Sequence, residues 1–192
     1  MKDLILKYIE EEIKAIKNIP LDGKIEKAID IIYQKVHIEH GKVIISGMGK
    51  AGQIGMNIAT TLSSTGTPAA FIHPSEAQHG DLGLIQKNDV LILISNSGKT
   101  REVIEFQELA HQLYDHLPVI ALTGDLNSPL AKVSNEYLFT GNPKEICPIG
   151  LTPTTSTTLI TLSENNLHDR NIKKINFNQT YYPKISHRCY LR

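Results

Sequence analysis

The spacing of apolar residues divides the chain into two kinds of segment. Residues 1–37 carry apolar side chains at intervals of three and four, which predicts two amphipathic helices with Pro20 and Gly23 between them. From Lys42 onward, short β-branched runs that end in Gly or Ser alternate with segments of helical periodicity, as in βαβ units. This alternation predicts strands at 42–46, 68–72, 90–94, 118–122 and 136–139, and helices at 52–64, 100–114 and 128–133.

The predicted fold class is α/β, a three-layer αβα sandwich around a five-stranded parallel sheet. A chain of 192 residues with 41% hydrophobic content can bury one substantial core, so we expect a single domain over 1–192, with the two helices of 1–37 at its start. The stretch 156–177 begins with a helical pattern, but it is so polar that the segment 160–192 is not assigned further. Ligands of such sheets bind beyond the carboxyl ends of the strands.

Charge and cysteine content exclude several classes of function. Lys plus Arg and Asp plus Glu number 20 each, so no overall basic field attracts nucleic acid or an anionic membrane. Charged residues interrupt the first apolar segment, unlike a secretory signal, and no apolar run reaches the roughly 18 residues of a membrane-spanning helix. Cys147 and Cys189 provide no disulfide framework. We therefore expect a cytoplasmic protein with neither nucleic-acid nor membrane partners.

A glycine-rich motif follows the first predicted strand. Gly47, Gly49 and Gly52 match the G-x-G-x-x-G pattern between a strand and a helix, where it can hold a pyrophosphate. A nicotinamide site also needs an acidic residue after the second strand, which here ends in His-Pro. Lys50 adds positive charge to the free amides of a helix start, so the motif favours a phosphate. A nicotinamide site and a purely structural turn are the alternatives, and we expect no cofactor and no metal.

Hydroxyl-rich loops mark three further junctions between predicted strands and helices. SNSGKT (95–100) follows the most apolar strand, TPTTSTT (152–158) lies at a predicted helix start, and SSTGT (63–67) ends the first crossover. Ser and Thr are common in caps and turns, yet three such clusters at strand-to-helix junctions favour phosphate binding. The predicted substrate-binding residues are Ser46, Gly47, Gly49, Ser95, Asn96, Ser97, Thr100, Thr155, Ser156 and Thr157.

The order of these motifs resembles that of a known family. SGMGKAG, SSTGTPAAFIHPSEAQHGDLG, SNSGKT and ICPIGLTPTTSTT are similar to successive motifs of the sugar isomerase (SIS) domain of arabinose-5-phosphate isomerases, over roughly residues 40–160. The resemblance implies a flavodoxin-like sheet and the interconversion of D-arabinose 5-phosphate and D-ribulose 5-phosphate, which supplies Kdo for lipopolysaccharide or capsule. It also implies the short form of the family, without CBS modules, and homodimers or tetramers with sites between subunits.

The resemblance further implies a set of acid–base residues. Exchange between an aldose and a ketose needs ring opening, a base that moves a proton between C1 and C2, and an electrophile for the developing oxyanion. The implied base is Glu145 and the implied ring opener is His187, with the reverse assignment open. Each of three candidates also has a plainer interpretation. Lys50 can be a solvated loop lysine, His79 can support Asp81 in the core or at an interface, and Glu102 can interact favourably with the dipole at its helix start. The candidates are Lys50, His79, Glu102, Glu145 and His187.

Three departures from the family pattern leave a second function open. Lys99 replaces a common glutamate and adds positive charge near the phosphate loop, and the terminal segment 186–192 lacks the glycines of the family pattern. The segment 164–166 reads Glu-Asn-Asn where the family has Gly-Asp-Ala, and Asp169, Arg170 and Lys173 lie in a region that is normally more apolar. We therefore expect that helix to be more exposed or differently packed than in relatives. The alternative is a catalytically impaired SIS protein that binds a sugar phosphate or a nucleotide sugar such as CMP-Kdo and acts in regulation.

Overall fold

A computed structural model describes residues 2–20 and 23–177 of the chain. In these residues, five β-strands form one sheet in which every neighbouring pair is parallel. The strands are β1 (Val43–Gly47), β2 (Ala69–Phe71), β3 (Val90–Ile94), β4 (Val119–Thr123) and β5 (Glu136–Phe139). Each strand begins and ends within about one residue of the prediction from the apolar runs, because buried parallel strands carry an uninterrupted apolar signal.

Helices precede, connect and follow the strands. The α-helices are α1 (Lys2–Lys17), α2 (Lys24–Ile32), α3 (Gly49–Ser64), α4 (Arg101–Leu113), α5 (Pro129–Val133) and α6 (Thr155–Lys174). A π-helical turn (Tyr33–Ile38) continues α2, and two 3₁₀ turns (Ala77–His79 and Asp81–Leu84) lie between β2 and β3. Helix α3 begins earlier than expected because its first turn contains glycines, which carry little helical signal. Close packing explains one of them, since a Cβ on Gly52 would lie 2.5 Å from the carbonyl oxygen of Gly47.

In the strand order β2-β1-β3-β4-β5, strands β1 and β3 are neighbours, and the connections that follow them run towards opposite edges of the sheet. Gly47 at the end of β1 lies in register with Ile94 at the end of β3. The chain leaves β1 towards β2 on one side and leaves β3 towards β4 on the other. A crevice forms beyond the strand ends where such connections diverge. The predicted α/β fold with a five-stranded parallel sheet is confirmed.

Helices cover both faces of the sheet and produce three layers. On one face, Ile92 of β3 belongs to a buried cluster with Ile29 of α2 and Ile58 of α3, to which α6 also contributes. On the opposite face, Leu93 belongs to a second cluster with Phe106 of α4. The alternation of β3 side chains between the two clusters follows from the two-residue period of a strand. These cores hold the strand ends, and therefore the crevice, in a fixed position.

Helix α6 is buried more deeply than its composition indicated. Asp169, Arg170 and Lys173 are exposed, as expected for a polar helix. Glu164, by contrast, is only 5% exposed, and whether the helix packs differently from that of its relatives stays a prediction. Burial raises the pKa of Glu164, and a hydrogen bond from Thr61 of α3 offsets part of that effect. The raised pKa favours the neutral, protonated carboxyl, whose burial costs less free energy than that of a charged one.

Helix α1 packs loosely against the rest of the chain. None of its described residues is buried, although one side of the helix is strongly apolar. Leu4, Ile5, Ile9 and Ile13 remain between 45% and 53% exposed. Within residues 2–20 and 23–177, no helix has the length and apolarity needed to cross a bilayer. Although α1 contacts α6, the described part of the chain leaves about half of the surface of these apolar side chains uncovered.

Candidate functional site

The loops that follow β1 and β3 meet at the crevice between the diverging connections. A cavity of about 760 Å³ opens there, walled by the start of α3, the loop after β3 and the segment that leads into α6. Its lining residues are Met48, Gly49, Lys50, Ala51, Ile94, Ser95, Asn96, Ser97, Thr100, Pro143, Lys144, Glu145, Gly150, Leu151, Pro153, Ser156, Thr157 and Ile160. A smaller cavity of about 370 Å³ shares residues 143–145 with it and extends to α1.

The glycine-rich turn brings the first turn of α3 to the cavity. Gly49 has a φ of +55°, a left-handed conformation that residues with a side chain rarely adopt. The first amides of a helix have no acceptor within it, so this turn supplies free donors at the cavity wall. The Nζ of Lys50 donates a hydrogen bond to the carbonyl oxygen of Pro153 at 2.8 Å. The ammonium therefore connects the α3 wall to the segment before α6.

Hydroxyl groups on the loop after β3 form the second wall. The hydroxyls of Ser95 and Thr100 bond to each other at 2.7 Å, and the Oγ of Ser97 accepts a hydrogen bond from the amide of Lys99 at 3.2 Å. The turn itself requires glycine at position 98, where φ is +61° and a Cβ would lie 2.0 Å from the Oγ of Ser128. Because the Ser95–Thr100 pair uses only one of its two hydroxyl protons, a second proton is left for a ligand.

The loop after β4 fixes this hydroxyl loop in place. The carbonyl oxygen of Asn96 accepts a hydrogen bond from the amide of Gly124 at 2.8 Å. Lys99 does not line the cavity, because its Nζ pairs with the Oδ2 of Asp125 at 3.0 Å. The positive charge that the sequence analysis placed near the phosphate loop is therefore engaged outside it.

Glu145 joins the third wall to the N-terminus of α6. Its Oε2 accepts hydrogen bonds from the amide and hydroxyl of Thr154, at 2.6 and 2.8 Å, and from the amide of Ser156, at 3.3 Å. Partial burial acts to raise the pKa of Glu145, but hydrogen bonds from Ser156 and Thr154 together outweigh that effect and lower the pKa. Glu145 is therefore ionised at neutral pH and can accept a proton.

Two polar residues of this region were not assigned from the sequence. Lys144 lines the cavity beside Glu145, and Thr154 contacts the Glu145 carboxylate. Both lie in the irregular stretch between β5 and α6, where neither helical nor strand periodicity indicates which side chains face a ligand. The available signals were the position of Lys144 next to a candidate base and that of Thr154 within a hydroxyl cluster.

Nine of the residues predicted from the sequence meet in the cavity, and they come from all three walls. They are Gly49, Lys50, Ser95, Asn96, Ser97, Thr100, Glu145, Ser156 and Thr157. This arrangement combines free amides, hydroxyls, an ammonium and a carboxylate in one space. It can bind an anion at one end of a small polar molecule and move a proton at the other.

Three predicted substrate-binding residues lie outside the lining of the cavity. Ser46 is buried, and its hydroxyl donates to the carbonyl oxygen of Ile72 at 2.8 Å, while Gly47 ends β1 and packs under α3. Thr155 is buried at the start of α6, where its hydroxyl has no partner within the described residues.

Two predicted catalytic residues within the described part of the chain are likewise not brought into the cavity. His79 is exposed on a 3₁₀ turn, and Glu102 lies in the first turn of α4, where it favours the helix dipole. His187 lies outside the described residues. Their catalytic roles stay predictions.

Comparisons with known proteins connect this chain to sugar isomerases. The family model of the SIS domain matches residues 38–165. An arabinose 5-phosphate isomerase KdsD of Francisella tularensis is 44% identical over 169 residues, which cover 88% of this chain and 50% of that protein. KdsD of Escherichia coli K12 is 44% identical over 138 residues, or 72% of this chain and 42% of that protein. The chain thus spans about half the length of the curated relatives it matches.

Solved structures with the same architecture cover nearly the whole chain. A Bacteroides fragilis protein assigned as a phosphosugar isomerase involved in capsule formation is 50% identical, with a TM-score of 0.97 over all of both chains. The E. coli CFT073 protein c3406, solved in complex with arabinose 5-phosphate, is 29% identical, with a TM-score of 0.87 over 95% of each chain.

Proposed function

Since the chain belongs to the SIS-domain family, we propose that it is a phosphosugar isomerase that interconverts D-arabinose 5-phosphate and D-ribulose 5-phosphate. The observation that carries the proposal is the single cavity in which Lys50, the hydroxyl loop 95–100 and Glu145 meet. Two comparisons support this choice of substrate, namely the similarity to curated arabinose 5-phosphate isomerases and to a structure solved with arabinose 5-phosphate.

The hydroxyl loop is assigned to the phosphate of the sugar. Ser95, Ser97 and Thr100 offer hydroxyls on one wall, and Ser156 and Thr157 offer them at the start of α6. The free amides of the first turn of α3 line the same cavity and can add donors to the phosphate. Hydrogen bonds to a charged oxygen contribute about 1.5–3 kcal/mol each, so a few of them suffice to anchor the substrate.

Glu145 is assigned as the base that transfers the proton. Its lowered pKa keeps the carboxylate ionised at neutral pH, and it lines the cavity beside Lys144. In the open-chain aldose, the base takes the proton from C2, and the electron pair of that C–H bond forms the enediol while the C1 oxygen gains charge. The C2 hydroxyl then loses its proton while the C1 oxygen gains one, and return of the first proton to C1 yields the ketose, so every atom and electron of the substrate is conserved.

Lys50 is assigned to the oxyanion that develops during this transfer. Its ammonium crosses the cavity to the Pro153 carbonyl, where a substrate oxygen can replace that acceptor. Preorganised donors of this kind contribute most of their stabilisation when charge appears in the transition state. Ring opening is assigned to His187, which lies outside the described residues and stays a prediction. The assignment with Glu145 and His187 exchanged remains the alternative for the acid–base pair.

The proposal extends to the use of the product. Ribulose 5-phosphate converted to arabinose 5-phosphate supplies Kdo for lipopolysaccharide or capsule, and the similar B. fragilis protein is assigned to capsule formation. No redox cofactor is required for this chemistry, because an aldose and its ketose differ only in the position of hydrogen.

Turnover of the purified protein tests the proposal. A coupled assay is expected to show interconversion of arabinose 5-phosphate and ribulose 5-phosphate between about pH 6 and 9, where an ionised carboxylate base operates. Calorimetry with arabinose 5-phosphate and with CMP-Kdo distinguishes the isomerase from the regulatory alternative. Saturable binding without turnover is the result expected for the regulatory protein. Folded protein that fails to turn over either pentose phosphate contradicts the isomerase.

A further inference from the structure

Thr154 occupies an unusual position between Glu145 and the chain that follows it. Its hydroxyl donates a hydrogen bond to the Oε2 of Glu145 at 2.8 Å and accepts one from the amide of Ile146 at 3.0 Å. Its own amide donates to the same carboxylate oxygen at 2.6 Å. One residue at the start of α6 therefore contacts both the backbone and the carboxylate at the other end of the loop 146–153.

These contacts restrain the carboxylate in a directional way. The amide of Ser156 also bonds to Oε2, at 3.3 Å, so these three hydrogen bonds all reach one oxygen. The Ser156 hydroxyl is a further donor that lowers the pKa of the carboxyl, and substitution of Thr154 leaves it in place. Two of the donors are backbone amides at a helix start and cannot rotate away. Holding one oxygen at fixed points reduces the rotamer freedom that a glutamate in an open cavity otherwise retains.

We propose that Thr154 is a positioning residue of the isomerase, whose hydroxyl orients Glu145 so that Oε1 faces the substrate. The inference rests on the proposed function, in which Glu145 is the base. Thr154 itself does not line the cavity and acts only through Glu145. Loss of the hydroxyl would leave the amide donors in place but remove the contact that ties the Glu145 carboxylate to the Ile146 amide.

Several charged or titratable groups surround Glu145 and have to be separated from the effect of the hydroxyl. Lys144 and Cys147 lie on its own segment, Lys50 lies on the α3 wall, and Glu11 and Lys14 of α1 line the smaller adjoining cavity. Substitution of Thr154 keeps all of these groups. Burial acts to raise the pKa of Glu145, and the Thr154 hydroxyl is among the donors that lower it. Removal of the hydroxyl is therefore expected to raise the pKa.

Direct titration of the carboxylate tests this contact without substrate. Protein labelled with ¹³C at glutamate carboxyls is titrated by NMR, and Glu145→Gln identifies the signal of Glu145. The midpoint is expected to rise in Thr154→Val and Thr154→Ala and to return to the wild-type value in Thr154→Ser. Thr161→Val is the matched control, since it removes a hydroxyl that bonds to the Thr157 carbonyl at 2.9 Å farther along α6. It is expected to leave the midpoint unchanged.

Kinetics with arabinose 5-phosphate provide the second measurement. In Thr154→Val, the acidic limb of the kcat profile is expected to move to higher pH, and kcat to fall about ten- to hundredfold through misplacement of the base. KM is expected to stay within about twofold, because the phosphate donors are untouched, and Thr154→Ser is expected to restore kcat.

Three results overturn the proposal. The first is a titration midpoint of Glu145 in the wild type that is equal to or higher than that of an ordinary glutamate. This result overturns the proposal even if the variants do not fold. The second is an unchanged midpoint in folded Thr154→Val and Thr154→Ala, and the third is a failure of Thr154→Ser to restore it. The titration midpoints can also shift as expected while neither the wild type nor any variant turns over pentose phosphates. That result supports the contact between Thr154 and Glu145 and contradicts the proposed isomerase activity.

Discussion

At the scale of single residues, two lysines near the cavity face different surroundings. Lys50 reaches the Pro153 carbonyl across the cavity, whereas Lys99 pairs with Asp125 outside it. Lys50→Ala is expected to lower kcat/KM for arabinose 5-phosphate by about 10²–10³-fold, the contribution of one donor to an oxyanion. Lys99→Ala is the matched control and is expected to change it less than about threefold, because exposed ion pairs contribute little. Steady-state kinetics compare the two, and full activity in Lys50→Ala contradicts the site assignment.

Residue types at strand ends could be read from the sequence, but their side-chain partners could not. Ser95, Ser97 and Thr100 were predicted because they follow an apolar strand, and the structure brings them to the cavity. The pairing of Lys99 with Asp125 depends on how the loops after β3 and β4 pack together. Such contacts join residues far apart in the chain, and a single sequence carries no periodic signal for them.

At the scale of elements, α6 carries a glutamate on its buried side. Burial raises the pKa of Glu164 above its ordinary value, so the folded state disfavours the ionised form. Stability is therefore greatest below the ordinary glutamate pKa and falls as the pH rises through the raised value. Glu164→Gln, which cannot ionise, is expected to stabilise the protein at pH 7 by about 1–2 kcal/mol, the order of magnitude for one buried polar group.

Urea unfolding at neutral and acidic pH measures this effect. The difference between Glu164→Gln and wild type is expected to vanish below about pH 4, where the carboxyl is protonated in both states. Glu108→Gln, at an exposed position of α4, is the control and is expected to leave stability unchanged at both pH values. A Glu164→Gln protein no more stable than wild type at pH 7 contradicts the account of α6.

The accuracy of the sequence predictions differed between strands and helices for a physical reason. Strands buried on both faces are continuous apolar runs, so β1, β3 and β4 were located closely. The start of α3 was placed too late because glycine has a low helix propensity and gives little helical signal. Gly52 is needed there for another reason, since a side chain at this position would collide with the carbonyl oxygen of Gly47. The burial of Glu164 could not be read from the sequence because it depends on how α6 packs against the neighbouring helices α2 and α3.

At the scale of the whole molecule, the apolar side of α1 leads us to expect self-association. Leu4, Ile5, Ile9 and Ile13 are about half exposed, and apolar patches of this kind commonly mark contact surfaces. We expect a dimer or tetramer by light scattering at micromolar concentration. Ile9→Glu combined with Ile13→Glu is expected to lower the mass, whereas Lys7→Ala on the charged side is not. A monomeric wild type contradicts this expectation.

The central claim is that Glu145 moves a proton between two carbons of a pentose phosphate, and ¹H NMR in D₂O observes that step. Arabinose 5-phosphate incubated with the protein is expected to lose its C2 proton signal while ribulose 5-phosphate appears with deuterium at C1, because the abstracted proton exchanges with solvent. Glu145→Gln is expected to slow this exchange by about 10²–10⁴-fold, the usual contribution of a general base. Wild-type exchange at the rate of the buffer alone, or undiminished exchange in Glu145→Gln, would contradict the account.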